Sequence, residues 1–203
     1  MGKSIELNEM SRDVLRELGN IGIGNAVTAL SKMMKCDFEI DLPRVKIINY
    51  QDTPEILGGA EQFKTGILLE LGGEVSGMFV FLLDGEFGQA ILNTMLGEEK
   101  RDMAHMDELS SSVICEVGNI VCCSYINALA SMMGVKIQVS VPDICSDMVG
   151  AILSVPMIHF ANLSDELMII ENEFTVEGQS FESYVLFLPE LKSLNKMFEL
   201  LGI

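Results

Sequence analysis

Two short sets of polar residues recur at the same spacing in distant parts of the chain. Each set has a small polar residue, a glutamate four positions later, an asparagine three positions after that, and a proline 23 positions further on. The two sets are Asp13, Glu17, Asn20 and Pro43, and Ser112, Glu116, Asn119 and Pro142. Residues at i, i+4 and i+7 share one face of an α-helix, so the sequence predicts a polar stripe on each of two helices.

A carboxylate and a carboxamide on one helix face can support only a few kinds of reaction. A carboxamide can orient an attacking water molecule, and phosphoryl transfer asks little of a protein beyond positioning and charge neutralisation. Arg12 and Arg16 flank the first stripe, but Cys115 occupies the place of Arg16 in the second, so that stripe cannot hold a phosphoryl group unaided. We infer an incomplete active site that a partner protein completes.

Patterns of other common catalytic sites are missing from the sequence. It contains no G-x-G-x-x-G, P-loop or G-x-S-x-G pattern, and no histidine close to the stripes. The five cysteines form no C-x-x-C pair, and neither His105 nor His159 lies near a cysteine at ligand spacing. We therefore predict reduced thiols, no metal site and no cofactor of the protein's own. A thiol or metal enzyme is an alternative that has only the cysteines in its favour.

The stripes have a simpler interpretation as the solvated sides of two amphipathic helices. Asparagine and glycine are poor helix formers, so Gly19-Asn20 and Gly118-Asn119 cost stability in mid-helix. The glycines can be explained by close approach of another backbone. The recurring glutamate and asparagine have no such explanation, which favours a functional role for them.

An internal duplication organises the chain. A shift of 99 residues aligns residues 7–43 with residues 106–142 without a gap. A unit of this length is too long for a solenoid repeat. The sequence therefore predicts a single domain over residues 1–203, built from two repeats at approximately 7–100 and 106–203.

Each repeat has the same predicted plan of a long helix, several strands and a closing helix. The long helices begin at the N-caps Asn8 and Asp107 and run to about Met34 and Met133. Alternating apolar residues predict strands at 38–42, 65–71, 74–84, 135–141, 167–171 and 181–188. Closing helices are predicted at 86–96 and 190–201, and residues 143–151 are predicted to add a short helix without a counterpart. The whole is an α+β fold with pseudo-two-fold symmetry, in which two long helices carry the sites and pack on an antiparallel β-sheet.

The excess of acidic residues limits the kinds of partner that the protein can bind. Thirteen Lys and Arg against 30 Asp and Glu give a formal net charge of -17, which opposes binding to nucleic acid or to an anionic membrane surface. Residues 148–164 are uncharged but too short to span a membrane and contain Pro156, so they are predicted to be buried core. Without a signal-peptide pattern, we expect a cytoplasmic protein. A monomer is favoured because the duplication already supplies an internal pair.

The doubled motif resembles the signature of the CheC-type chemotaxis phosphatases, relatives of CheX and of the flagellar-switch phosphatase FliY. The motif Asp/Ser-x3-Glu-x2-Asn-x22-Pro occurs in full in both repeats. The resemblance implies a phosphatase that acts on the aspartyl phosphate of the response regulator CheY. It further implies that Asn20 and Asn119 position water for in-line attack, that Glu17 and Glu116 pair with a lysine of the regulator, and that Mg²⁺ belongs to the regulator.

The same resemblance implies roles for the remaining residues of the motif and a second partner. Asp13 and Ser112 would support the site, while Pro43 and Pro142 would be structural. CheC proteins also bind the receptor deamidase CheD, and Asp147 followed by an apolar residue is similar to the segment that the family uses. The alternative is a non-catalytic adaptor that sequesters CheD or acts in the flagellar switch.

Overall fold

The computed structural model describes residues 9–36, 38–160 and 162–202, with side chains from residue 13 onward. The helices are α1 (Glu9–Met34), α2 (Thr53–Ile56), α3 (Gly85–Leu96), α4 (Glu108–Met133), α5 (Val149–His159) and α6 (Leu191–Leu201). The strands are β1 (Phe38–Ile40), β2 (Arg44–Asn49), β3 (Phe63–Gly73), β4 (Gly77–Leu83), β5 (Ile137–Val139), β6 (Asp143–Met148), β7 (Glu166–Val176) and β8 (Gln179–Pro189). The predicted α+β class is therefore confirmed.

The strands form one antiparallel sheet in the order β1-β7-β8-β4-β3-β5, with β2 and β6 also paired to β7 and β3. If each strand of the first half is exchanged with its equivalent in the second half (β1 with β5, and so on to β4 with β8), the same order is obtained, read from the opposite edge of the sheet. Such an order is compatible with the predicted duplication, which stays a prediction.

The two long helices begin and end close to the predicted residues. Each has 26 residues, and they end at Met34 and Met133. The N-cap of α4 is formed as predicted, because the backbone N–H of Ser110 donates to the Asp107 carboxylate at 2.7 Å. This hydrogen bond is the main cause that lowers the pKa of Asp107. The other predicted N-cap, Asn8, lies outside the described residues.

The sheet carries helices on both faces and two hydrophobic clusters. One cluster lies under α1, α3, α4 and α6, and includes the stacked rings of Phe79 and Phe187 in the sheet. The other lies under α5, where Ile152 and Leu153 pack on sheet residues such as Leu186. By length and composition alone, α4 could cross a membrane. Its apolar composition is explained by its burial between α1 and the sheet.

The prediction for residues 143–151 is wrong in its first part. Residues 143–148 form strand β6, which pairs with β3 in a register that places Ile144 opposite Ile67. The helix α5 starts only at Val149. The segment also has a positional counterpart, since β2 pairs with β7 as β6 pairs with β3. Residues 143–148 are a strand because they form hydrogen bonds with β3, and the pattern of six residues alone does not reveal this pairing.

Residues 148–164 are not the fully buried segment that the sequence predicts. One side of α5 is buried and comprises Val149, Ile152, Leu153 and Pro156. Met157 and Ile158 on the other side are exposed, as is Met148 before the helix. The segment is therefore an apolar helix that covers the sheet and leaves one apolar side to solvent.

We expect Tyr125→Phe to destabilise the fold measurably. The Tyr125 hydroxyl donates to Asn172 Oδ1 at 2.5 Å, and both residues are buried. Removing the hydroxyl leaves the Asn172 acceptor without this partner, a loss of about 1–2 kcal/mol in the free energy of unfolding. Urea unfolding measures this loss. Tyr184→Phe is the control, because the hydrogen bond from the Tyr184 hydroxyl to Glu182 is long, at 3.5 Å, and exposed to solvent. Equal stability of the two variants would contradict the assignment.

Candidate active site

The first polar stripe lies on the exposed side of α1. Asp13, Glu17 and Asn20 are all exposed, whereas Leu15 and Leu18 on the other side are buried in the core. The 3.6-residue period of the helix separates the two sets, as the sequence predicts. A docking protein can therefore reach the carboxylate and the carboxamide together.

The second stripe lies on α4 in a similar arrangement. Ser112 and Glu116 are exposed, and Asn119 is half-buried but still accessible. Ile114 and Val117 on the opposite side are completely buried. Neither asparagine is enclosed in the core, so both stripes are open to a partner.

Glycine and proline fit together beside the first stripe. A Cβ atom on Gly19 would lie 2.8 Å from Pro43 Cγ and 3.2 Å from Val45 Cγ2, both closer than side chains normally approach. Pro43 therefore packs on α1 next to Asn20, although the two residues are far apart in the sequence. The Arg16 guanidinium pairs with the Asp13 carboxylate one turn earlier on the same helix.

The second stripe has different neighbours. A Cβ atom on Gly118 would lie 2.6 Å from Ile67 Cγ1, so this glycine lets α4 approach strand β3. The Cys115 thiol is 3.7 Å from the Pro142 carbonyl oxygen, to which it donates. Ser112 Oγ donates to the Glu108 carbonyl oxygen at 2.8 Å. Pro142 thus touches the helix one residue before Glu116.

A thiol contacts the second asparagine, and the sequence interpretation assigned it no role. Cys123 Sγ donates to Asn119 Oδ1 over 3.4 Å. Burial raises the pKa of Cys123, and the negative charge of Glu116 raises it further, so the thiol keeps its proton. The corresponding residue of α1 is Gly24, where an added Cβ would meet no atom within 4 Å. The i+4 spacing after Asn119 was the available signal for this contact.

Asp147 does not belong to either stripe. It lies exposed near the end of β6, opposite Lys64 of β3, and its carboxylate accepts the Met148 N–H at 2.7 Å. Cys145, two residues earlier on the strand, packs against the cluster under α5. Since alternate residues of a strand face the same side, Asp147 is placed on the α5 side of the sheet, opposite to α4.

The stripes suit a protein partner better than a small molecule. The sequence of α4 contains no lysine or arginine, and each stripe offers one glutamate and one asparagine. Such a set can orient water and pair with a cation, but it makes a poor ligand set for Mg²⁺, which prefers several oxygen ligands. A groove of about 630 Å³ near Asp41 and Arg44 contains no stripe residue.

Comparison with known proteins agrees with the motif. The sequence model of the CheC-like family matches residues 10–47, and the sequence model of the chemotaxis phosphatase CheX family matches residues 65–159. The chain is 26% identical over 200 residues to the CheY-P phosphatase CheC of Bacillus subtilis (strain 168), covering 97% of this chain and 96% of that protein.

Solved structures share the fold at lower identity. Thermotoga maritima FliY superposes with a TM-score of 0.74 at 22% identity, covering 98% of each chain. A chain of the H. pylori FliG–FliM complex superposes with a TM-score of 0.71 at 9% identity, covering 95% of this chain and all (100%) of that one. In motif and sequence this chain is therefore similar to CheC and CheX chemotaxis proteins, and it shares its fold with FliY.

Proposed function

We propose that this protein is a phosphatase that hydrolyses the aspartyl phosphate of the response regulator CheY. The observation that carries the proposal is the pair of accessible stripes, each with a glutamate and an asparagine at the same spacing on a helix of 26 residues. The likeness to a protein named CheY-P phosphatase supports the substrate. We expect the protein to act in the cytoplasm, as a monomer.

The proposed reaction is an in-line displacement at phosphorus. The side-chain amide of Asn20 or Asn119 orients a water molecule on the side opposite the aspartyl oxygen. The water oxygen forms a bond to phosphorus while the bond to the aspartyl oxygen breaks, so inorganic phosphate leaves and the aspartate carboxylate is restored. The proton of the water leaves with the phosphate or passes to solvent. The helix contributes positioning, because it presents the glutamate and the asparagine to the partner at a fixed spacing.

Glu17 and Glu116 anchor the partner in this proposal. Each carboxylate is exposed one turn before its asparagine, where a lysine of the regulator can pair with it. Mg²⁺ would be bound by the regulator, where it would neutralise charge on the phosphoryl group. Pro43 and Pro142 hold the following chain segments against the helices, while Asp13 and Ser112 occupy the first turns of the stripes.

The proposal is tested by the decay of phosphorylated CheY with and without the wild-type protein. We expect a decay rate that rises in proportion to the amount of protein added. Asn25→Ala is the matched control for asparagine substitutions, because Asn25 is exposed on α1 but points away from the stripe. If wild-type protein leaves the decay rate of CheY unchanged, the protein is not its phosphatase.

A non-catalytic adaptor is the second candidate, because this fold also occurs in a chain of the FliG–FliM complex. That chain shares the fold at only 9% identity, and a fold does not imply an activity. An adaptor would bind phosphorylated CheY or CheD without accelerating the loss of phosphate. Binding and turnover measured on the same preparation therefore separate the two functions.

We further propose that the region around Asp147 binds CheD. Exposed Asp147 and Met148 lie beside exposed Phe63, which pairs with Met148 across the β3–β6 ladder. Because the Asp147 side chain is on the α5 side of the sheet, Asp147→Lys should abolish CheD capture and leave CheY dephosphorylation unchanged. Asp165→Lys, at an exposed position before β7, is the matched charge-reversal control. Undiminished capture by Asp147→Lys would rule out this contact.

A further inference from the structure

The two stripes differ in how their asparagines are held. Asn119 accepts a hydrogen bond from Cys123 at 3.4 Å, on the next turn of α4. On α1 the equivalent position is Gly24, which has no side chain to reach Asn20. Asn20 is exposed and Asn119 is half-buried, in keeping with this difference.

We propose that Cys123 is a positioning residue for Asn119 and limits the directions that its amide can take at the phosphoryl group. This inference rests on the proposed phosphatase function. With Oδ1 held by the thiol, the Asn119 carboxamide is oriented before the regulator docks, which lowers the cost of ordering it in the complex. Asn20 lacks that contact and must be ordered by the partner alone.

The thiol suits this task for two reasons. Its pKa is raised, first by burial and then by the Glu116 charge, so it remains a donor near neutral pH. It also lies on the same helix as its acceptor, so the distance between them is set by the helical repeat. No covalent step is required of the sulfur.

Turnover should be measured in the Asn20→Ala background, where only the α4 stripe is intact. Adding Cys123→Ala is expected to lower kcat about threefold to tenfold, the factor produced by losing one hydrogen bond, with KM unchanged. Adding Cys123→Ser should restore most of the rate, because a hydroxyl also donates to Oδ1. Cys145→Ala, on β6, removes a thiol from the other side of the sheet and should leave the rate unchanged.

The reverse change tests the same idea on α1. There is room for a side chain at Gly24, so Gly24→Cys in the Asn119→Ala background should raise turnover severalfold. A rate no higher than that of Asn119→Ala would count against positioning by the thiol, as would a Cys123→Ala variant that turns over like its parent.

A readout without turnover keeps this inference separate from the proposed function. In nitrogen–proton NMR relaxation measurements, Cys123→Ala should lower the order parameter of the Asn119 side-chain amide, while Cys123→Ser and Cys145→Ala should keep it close to the wild-type value. An unchanged order parameter in Cys123→Ala would overturn the positioning role. If the order parameter falls but neither wild type nor any variant dephosphorylates CheY, the proposed function fails and the contact stands.

Discussion

The double variant Asn20→Ala/Asn119→Ala is expected to dephosphorylate CheY about 100-fold more slowly than the wild type, or at the regulator's own rate if that is faster. Loss of the positioned water explains the size of the effect, since misplacing a reacting group costs rate factors of this order. Each single variant should keep the turnover of its intact stripe, because the two stripes lie on different helices. The measurement is the decay of purified phosphorylated CheY under single-turnover conditions.

Binding provides the control for the asparagine variants. Glu17 and Glu116 are intact in all of them, so the regulator should still bind to the double variant. Asn25→Ala changes the same residue type on the same helix and should retain the wild-type rate. A double variant as fast as the wild type would remove the asparagines from the mechanism, whatever the other results.

Gly22→Val is expected to lower the free energy of unfolding by about 3 kcal/mol, at the upper end of the cost of overpacking a core. A Cβ atom at this position would lie 2.2 Å from Cδ1 of Tyr125, in the contact between α1 and α4. The ring cannot move aside easily, because it is buried and its hydroxyl is bonded to Asn172. Urea unfolding with circular dichroism measures the change.

Gly24→Val is the matched control for this prediction. It introduces the same side chain two residues later on α1, where a Cβ would meet nothing within 4 Å. Valine is a slightly better helix former than glycine, so the control should be neutral or stabilised by a few tenths of a kcal/mol. Equal loss of stability in both variants would show that Gly22 is not needed for the contact between the helices.

The long helices, the antiparallel sheet and the exposure of the stripes could be predicted from the sequence. Helical spacing separates Glu17 and Asn20 from Leu15 and Leu18, and this separation depends only on the geometry of one helix. The cap at Asp107 is also a local property of the chain. The α+β class followed because alternating strands need helices to cover them.

Features that depend on distant contacts were not predictable in the same way. Strand β2 was not predicted, and β6 was predicted as part of a helix, since both are defined by pairing with β7 and β3. The packing role of Gly22 depends on Tyr125 of another helix, and only the fold shows that these two residues are neighbours. The contact of Cys123 with Asn119 has a suitable spacing, yet the burial that keeps the thiol protonated comes from the folded protein.

The proposed phosphatase has an active site that is complete only when the regulator is docked. The most direct measurement compares phosphate release from purified phosphorylated CheY and from acetyl phosphate, each with the wild-type protein and Mg²⁺. We predict rapid release from phosphorylated CheY and release from acetyl phosphate no faster than in buffer. Turnover of acetyl phosphate by this protein alone would contradict the account, because it would require a complete active site within this chain.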